Sequence, residues 1–402
     1  MRRINPLTYR SPSRLVLTLL AGFGYMALGC GEEAQSPTGP TVEPDLATAT
    51  AALTFSMVTT GSLHSCGLAL DGRAYCWGDN PHGELGDGTT ISRTRPVPVK
   101  GGLRFSAVSA ADGYTCGITT EQKAYCWGWN DFGMLGNGAR VNRSTPVAVK
   151  GELLFRQLRP GSHHTCGVTT TAKGYCWGSN ENGRLGIGVT GGYRLVPIAV
   201  TGGLKFRRII PGGGHTCGLT TSGQAYCWGN GNVGQIGDGQ IVLARPSPKA
   251  VSGGLIFTQV GAGQAHSCGV TSDKRAYCWG DNSQGALGDG SNNSMRLEPT
   301  PVFGGLFWNG VSTLSHHTCG VASDQKAWCW GLNIVAGASK ANSPSQVPGG
   351  LQFNSIGGGL ASSFSCGVVT TGKAYCWGWN GAGQLGDGTT TSHYTPKPVV
   401  GP

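Results

Sequence analysis

The stretch His64–Gly78, HSCGLALDGRAYCWG, holds two cysteines ten residues apart, with Tyr75 and Trp77 flanking the second. Cys66 and Cys76 lie symmetrically about Asp71. If two strands fold back there, the connecting loop has an odd number of residues. A three-residue loop, Leu70–Gly72, ends at the left-handed position of such hairpins, where glycine is favoured. This register sets Cys66 opposite Cys76, Gly67 opposite Tyr75, Leu68 opposite Ala74 and Ser65 opposite Trp77. Directly opposed strand cysteines lie near disulfide reach. The pairing also puts Tyr75 over Gly67, a large residue filling the space left by a small one.

The same pattern occurs seven times. The first cysteines are Cys66, Cys116, Cys166, Cys217, Cys268, Cys319 and Cys366, and their partners are Cys76, Cys126, Cys176, Cys227, Cys278, Cys329 and Cys376. That uses 14 of 15 cysteines and leaves Cys30. Seven cross-strand disulfides are therefore expected. A metal site is the competing reading, with one His and two Cys per unit. A closed zinc site takes four ligands, and each unit offers three at most, so the disulfide reading is preferred. Gly72, Gly223 and Gly372 fill the left-handed turn position in three units, but Gln122, Ala172, Lys274 and Gln325 stand there in others. The turn is therefore expected to vary among units.

Each unit spans about 50 residues. It reads as an apolar strand, the His-x-Cys strand, the Tyr-Cys-Trp strand, a Gly-rich segment and a Pro/Val strand. The 70 glycines among 402 residues suit many tight turns and short strands. Four short strands per unit match a propeller blade. The segments WGDNPHGELGDG (Trp77–Gly88) and WGWNGAGQLGDG (Trp377–Gly388) make the comparison specific. The chain resembles the regulator of chromosome condensation repeat family over residues 53–402. That resemblance implies an all-β, seven-bladed β-propeller of four-stranded blades. Unit six, with WGLNIVAGASKANSP, lacks the G-x-L-G-x-G segment, and its outer loop is expected to differ. The last Pro/Val strand has no unit after it. Pro396–Val400 is therefore expected to lie beside the first unit and close the ring.

Three regions are expected. Residues 1–29 read as a lipoprotein-type signal peptide, with Arg2, Arg3, Arg10 and Arg14 ahead of the apolar run Leu15–Leu28. MALGC resembles a lipoprotein box, which makes Cys30 the lipidation site; Ala27 departs from the usual Leu. Conventional cleavage near Gly29 is the alternative. Residues 30–52 read as a flexible tether and 53–402 as the propeller. This puts the protein in the exported class, anchored to the cell envelope by lipid, with periplasmic or secreted forms as alternatives. Without residues 1–29 the chain carries 26 basic residues (30 less four) and 20 acidic ones. Such a mild excess does not argue for nucleic acid. The cluster Lys205, Arg207 and Arg208 reads as a solvated strand face.

Nothing in the sequence forms an asymmetric catalytic constellation, so no enzyme activity and no cofactor is expected. His64, His164, His215, His266 and His317 recur at one position, which favours a scaffold role. Asp87, Asp238, Asp289 and Asp387 sit in Gly-Asp-Gly turns, where Asp is favoured. Binding is instead expected where the copies differ. Trp129 and Trp379 replace small or polar residues, Phe132 occupies the next loop, and Tyr193, His393 and Tyr394 precede the closing strand. These six are the candidate partner-binding residues, with packing between blades as the competing role. The expected partner is a protein, or a glycan, engaged through one propeller face by a monomer. Membrane contact is expected only through the lipid. The resemblance adds two kinds of relative, a nuclear nucleotide exchange factor and secreted β-lactamase inhibitors. Export and disulfides favour the second kind of setting. A secreted inhibitor-like binder and a surface glycan-active enzyme remain the alternatives.

Overall fold

The computed structural model describes residues 53–332, 340–359 and 363–402. The expected signal peptide, the tether, Cys30 and the outer loop of unit six (333–339) lie outside the described residues. Among the described residues, twenty-eight strands form seven four-stranded antiparallel sheets, each from four consecutive strands. In the first blade these are β1 (Phe55–Thr60), β2 (His64–Ala69), β3 (Ala74–Gly78) and β4 (Arg93–Pro98). The fold is a seven-bladed β-propeller. The first strands of all seven blades line one central cavity, with Thr59, Ala110, Pro160, Pro211, Ala262, Thr313 and Gly358 among the lining residues. The fourth strand is the outer edge, which suits the prolines at Pro96, Pro146 and Pro396, since Pro lacks the N–H a ladder needs.

The β2–β3 register is the one read from the sequence, with Cys66↔Cys76, Gly67↔Tyr75, Leu68↔Ala74 and Ser65↔Trp77. All seven disulfides are present, with Cα–Cα distances of 4.0 to 4.1 Å. Seven disulfides indicate an oxidising, non-cytosolic compartment. The described residues contain no helix long and apolar enough to cross a membrane.

Three expectations need correction. The hairpin turn is uniform in shape: Gln122, Ala172, Lys274 and Gln325 all adopt φ between 63° and 66°, the left-handed region that Gly72 also occupies. Tertiary pairing overrides the local cost of a side chain there. Second, Tyr75 does not cover Gly67. A Cβ on Gly67 would meet the Phe55 ring at 2.5 Å, and Phe105, Phe155, Phe206, Phe257, Trp308 and Phe353 lie over the equivalent glycines. Third, the C-terminal strand His393–Pro398 pairs with Ala374–Gly378 of its own blade, not with the first blade. Lys205, Arg207 and Arg208 are all exposed, as the solvated-face reading expects, and Arg208 faces the central cavity. A bulge between Phe206 and Arg208 breaks the alternation.

A lock is repeated at six of the seven joints between neighbouring blades; at the joint of blades six and seven, Trp377 Nε1 has no hydrogen-bond partner among the described residues. Trp177 is fully buried and donates its Nε1–H to the Met134 carbonyl of the preceding blade at 2.8 Å. Thr165 Oγ1 donates to the same carbonyl at 2.8 Å. Gly136, two residues on, has φ +67°, and a Cβ there would sit 2.5 Å from Trp177 Nε1. The same arrangement joins Trp127 and Thr115 to the Glu84 carbonyl, Trp228 and Thr216 to Arg184, Trp279 and Ser267 to Gln235, and Trp330 and Thr318 to Ala286. At the seam, Trp77 and Ser65 of the first blade donate to the Gln384 carbonyl of the last, both at 2.9 Å.

The recurrent histidines complete this lock. Thr115 donates to a carbonyl, so it accepts from His64 Nε2–H at 2.8 Å. His164, His215 and His266 bond Thr216, Ser267 and Thr318 of the next blade at 2.7, 2.8 and 2.9 Å. Burial lowers the pKa of His64, His215, His266 and His317 to about 3, and holds His164 well below 6.5. These rings are neutral scaffold groups.

Two outcomes follow. Ala172→Gly removes left-handed strain and should stabilise the fold by roughly 0.5–1 kcal/mol, read as a raised denaturant midpoint. Acid should unfold the ring. The folded-state pKa of the buried histidines lies below the unfolded value, so their contribution is complete above pH 6.5 and is lost as pH falls toward 3. At about pH 4.5 the loss should be roughly 2–3 kcal/mol per histidine. His215→Gln should flatten the fall in denaturant midpoint between pH 7 and 4.5; an unchanged slope would refute the assignment.

Candidate partner-binding face

The β1–β2 turns and the Gly-rich β3–β4 segments lie at one end of the blades. The Gly-rich segment is braced from within. Asn80 Oδ1 accepts the Leu85 N–H at 2.9 Å, and its Nδ2 donates to the Thr89 and Ile91 carbonyls. Asn130, Asn180, Asn282 and Asn380 brace their segments through the same acceptor. Asp87, Asp289 and Asp387 cap the turn that follows, accepting N–H groups at 2.9 to 3.0 Å. The side chains these loops present are therefore rigidly held.

On this frame blades two and three assemble an aromatic cluster. Trp129 packs edge-on against Phe132 with centroids 5.4 Å apart, and against His163 at 5.5 Å. Phe132 reaches His163 at 5.0 Å and Tyr193 at 5.6 Å. His82 of blade one approaches Trp129 at 6.1 Å. The Arg140 guanidinium lies 4.9 Å from the Tyr193 ring centroid, a cation–π contact. Tyr193 remains 45% exposed, while Trp129, Phe132 and His163 are half-buried. Burial, reinforced by the Arg184 charge, lowers the His163 pKa, so this ring behaves as an apolar member of the cluster.

A cleft of about 380 Å³ adjoins Trp129 on the blade-one side. Asp79, Glu84, Asp112 and Asp131 line it, together with Leu63 and His82. Ser62 Oγ donates to Asp112 at 2.5 Å, and Glu84 holds the His82 N–H at 2.9 Å. Burial raises the Glu84 pKa, partly offset by these hydrogen bonds. The face thus sets an aromatic ridge beside an acidic cleft.

The structure brings three of the six candidate residues together: Trp129, Phe132 and Tyr193. The other three lie in blade seven. Trp379 stands at the position of Trp129, 44% exposed, with its ring over Gly381. His393 occupies the position of Arg93 and pairs with Asp387 at 3.2 Å, the role Arg245 and Arg296 play for Asp238 and Asp289. Tyr394 is exposed. Sequence reasoning missed His82 and His163. His163 stands at a position where unit six also has His316, in the same SHHTC, and the other units carry Leu63, Gly113, Gly214, Ala265 or Ser363, so the sequence marks the pair without singling out His163. His82 had no such signal, because its neighbour Trp129 comes from the next blade.

Sequence profiles described as Regulator of chromosome condensation (RCC1) repeat match residues 71–118, 122–168, 174–219 and 371–402, and also 105–133, 212–235 and 257–286. Together these matches span more than half of the chain. The chain belongs to the regulator of chromosome condensation repeat family. Within that family it is 31% identical over 157 residues to the human E3 ubiquitin-protein ligase HERC2, covering 38% of this chain and 3% of that protein. It is 29% identical over 195 residues to the Arabidopsis thaliana ultraviolet-B receptor UVR8, covering 46% of this chain and 44% of the receptor. The chain spans less than half the length of these curated relatives. Among solved structures, Prp20p of Saccharomyces cerevisiae superimposes with a TM-score of 0.70 at 20% identity, over 86% of this chain and 87% of that one. That likeness supports the repeat-family fold.

Replacing His163 by Leu should leave the denaturant midpoint within about 0.5 kcal/mol at pH 7, since the ring is neutral there and packs as an apolar group. A much larger loss would show that its nitrogens bear load.

Proposed function

We propose that this protein is a non-enzymatic binding scaffold of an exported compartment, engaging a protein partner through the face around Trp129. The observation that carries the reading is the aromatic cluster of Trp129, Phe132 and Tyr193 on rigid loops, next to the Asp79–Asp112 cleft. Exposed aromatics on a fixed frame are the usual anchors of protein interfaces. The acidic cleft beside them suits a partner that places a Lys or Arg next to an apolar side chain. The solved structure of Prp20p is described with binding to Gsp1p and histones, a precedent for protein partners on this fold.

The remaining parts of the reading rest on the sequence. Residues 1–29 direct export, Cys30 carries the lipid, residues 30–52 tether the body, and 53–402 form it. The chain then acts as a monomer held at the cell envelope. A secreted, unanchored inhibitor-like binder has the same face and differs only at Cys30. Trp379 and Tyr394 of blade seven belong to a second contact region on the same reading, and a glycan partner would use stacking on such exposed rings.

Trp129→Ala with Phe132→Ala should abolish capture of the partner from envelope extract, while Trp379→Ala should weaken it less. Affinity capture with quantitative mass spectrometry, alongside a thermal melt of each variant, separates lost binding from lost fold. Full capture by a folded Trp129→Ala, Phe132→Ala variant would refute this face.

A further inference from the structure

The central cavity departs from seven-fold symmetry in its charge. It measures about 340 Å³ and is lined by the first strands of all seven blades. Most lining positions carry small, apolar or hydroxyl residues, such as Thr59, Ser109, Val260 and Ser312. Blades three and four instead contribute Arg159 and Arg208. An adjoining cavity of about 260 Å³ gathers Arg156 and Arg207 with the same two arginines. No carboxylate lines either cavity among the described residues. Among the described residues none of the four guanidinium groups is ion-paired.

The hydrogen bonds of these arginines leave most of their donors free. Arg159 Nη1 donates to Ser109 Oγ at 3.2 Å, and Arg156 donates to the Phe206 carbonyl. A guanidinium offers five donors in a planar fork that matches oxyanions. Arg159 is half-buried, and desolvation followed by the Arg208 charge holds its pKa below the ordinary value. Two like charges facing one channel repel, and an anion held between them relieves that repulsion. Where neighbouring blades keep Gln at the Arg208 position, the side chain closes the ring instead: Gln259 Nε2 donates to the Val311 carbonyl at 2.7 Å. Arg208 gives up that clamp and adds charge.

We propose that the central channel is a binding site for a small oxyanion carrying two or more negative charges, of the phosphate or sulfate class, held between Arg159 and Arg208. The hydroxyls of Ser109 and Ser312 supply neutral donors to the same ligand. Arg156 and Arg207 draw the anion toward the channel from the β2–β3 turn side of the ring. The site is separate from the aromatic face and does not depend on the partner proposed above.

Isothermal titration of the full chain with inorganic pyrophosphate, and in parallel with sulfate, tests this. One ion should bind per chain, and the tighter of the two probes names the class. Arg208→Gln and Arg159→Gln should each weaken binding at least tenfold, while Lys205→Gln should not change it. In anion-free buffer, Arg208→Gln should raise the melting temperature, because a like-charge contact is removed and the clamp of Gln259 can be reproduced. A site needed only for structure would show the opposite: a lower melting temperature and no anion-dependent shift. Absence of binding by both probes, or equal loss in Lys205→Gln, would overturn the proposal.

Discussion

The entry of one blade's tryptophan into the glycine-rich segment of the blade before it holds this ring together. The indole reaches the carbonyl only because Gly136 and its equivalents lack a side chain and take up positive φ. That single carbonyl then receives the tryptophan N–H and a Ser or Thr hydroxyl, and the hydroxyl in turn accepts a histidine N–H. The groups in the set are buried, where an unpaired donor is costly, and of the seven equivalent indoles only that of Trp377 is left without a hydrogen-bond partner among the described residues. The requirement explains the recurrence of His, Ser/Thr, Trp and Gly at fixed spacing. Each blade touches only its neighbours around the ring, so every interface needs its own joint, and the tryptophan lock is made at six of the seven among the described residues. The disulfide adds a different constraint. It ties the second and third strands within one blade and leaves the joints between blades to hydrogen bonds and packing.

Much of the fold was legible in the sequence because hairpin pairing is arithmetic. A ten-residue separation of the cysteines, with a turn at the midpoint, determines four cross-strand pairs at once. Contacts between blades were not legible in that way. The partner of Gly67 was sought on the facing strand, at Tyr75, whereas Phe55 reaches it diagonally from the other side. Closure was sought in a strand swap across the seam, whereas Trp77 and Gln384 achieve it with side chain and loop. The turn at Gln122 and Ala172 looked variable because local preference disfavours those residues, yet the paired strands impose one geometry.

The candidate face divides along the same line. Trp129, Phe132 and Tyr193 stood out as departures from the repeat, and three-dimensional proximity makes them one cluster. His393 also departed from the repeat, but its departure is conservative in role: it replaces an arginine as partner of an aspartate. Lys205, Arg207 and Arg208 of blade four were noticed as a surface run, whereas Arg156 and Arg159 of blade three were not. The bulge after Phe206 turns Arg208 inward, and no periodicity in the sequence announces a bulge. Symmetric positions in this protein maintain the ring, and its distinct chemistry lies where blades one to four depart from the common pattern.

The most direct measurement is the guanidinium unfolding of Gly136→Ala, which drives a methyl group against the Trp177 indole at its Nε1 without removing any hydrogen-bonding group. The account predicts one cooperative transition for the whole ring, with its midpoint lowered by the equivalent of ~3 kcal/mol from overpacking and backbone strain combined. An unchanged midpoint would contradict the claim that the interblade tryptophan lock is what the structure depends on.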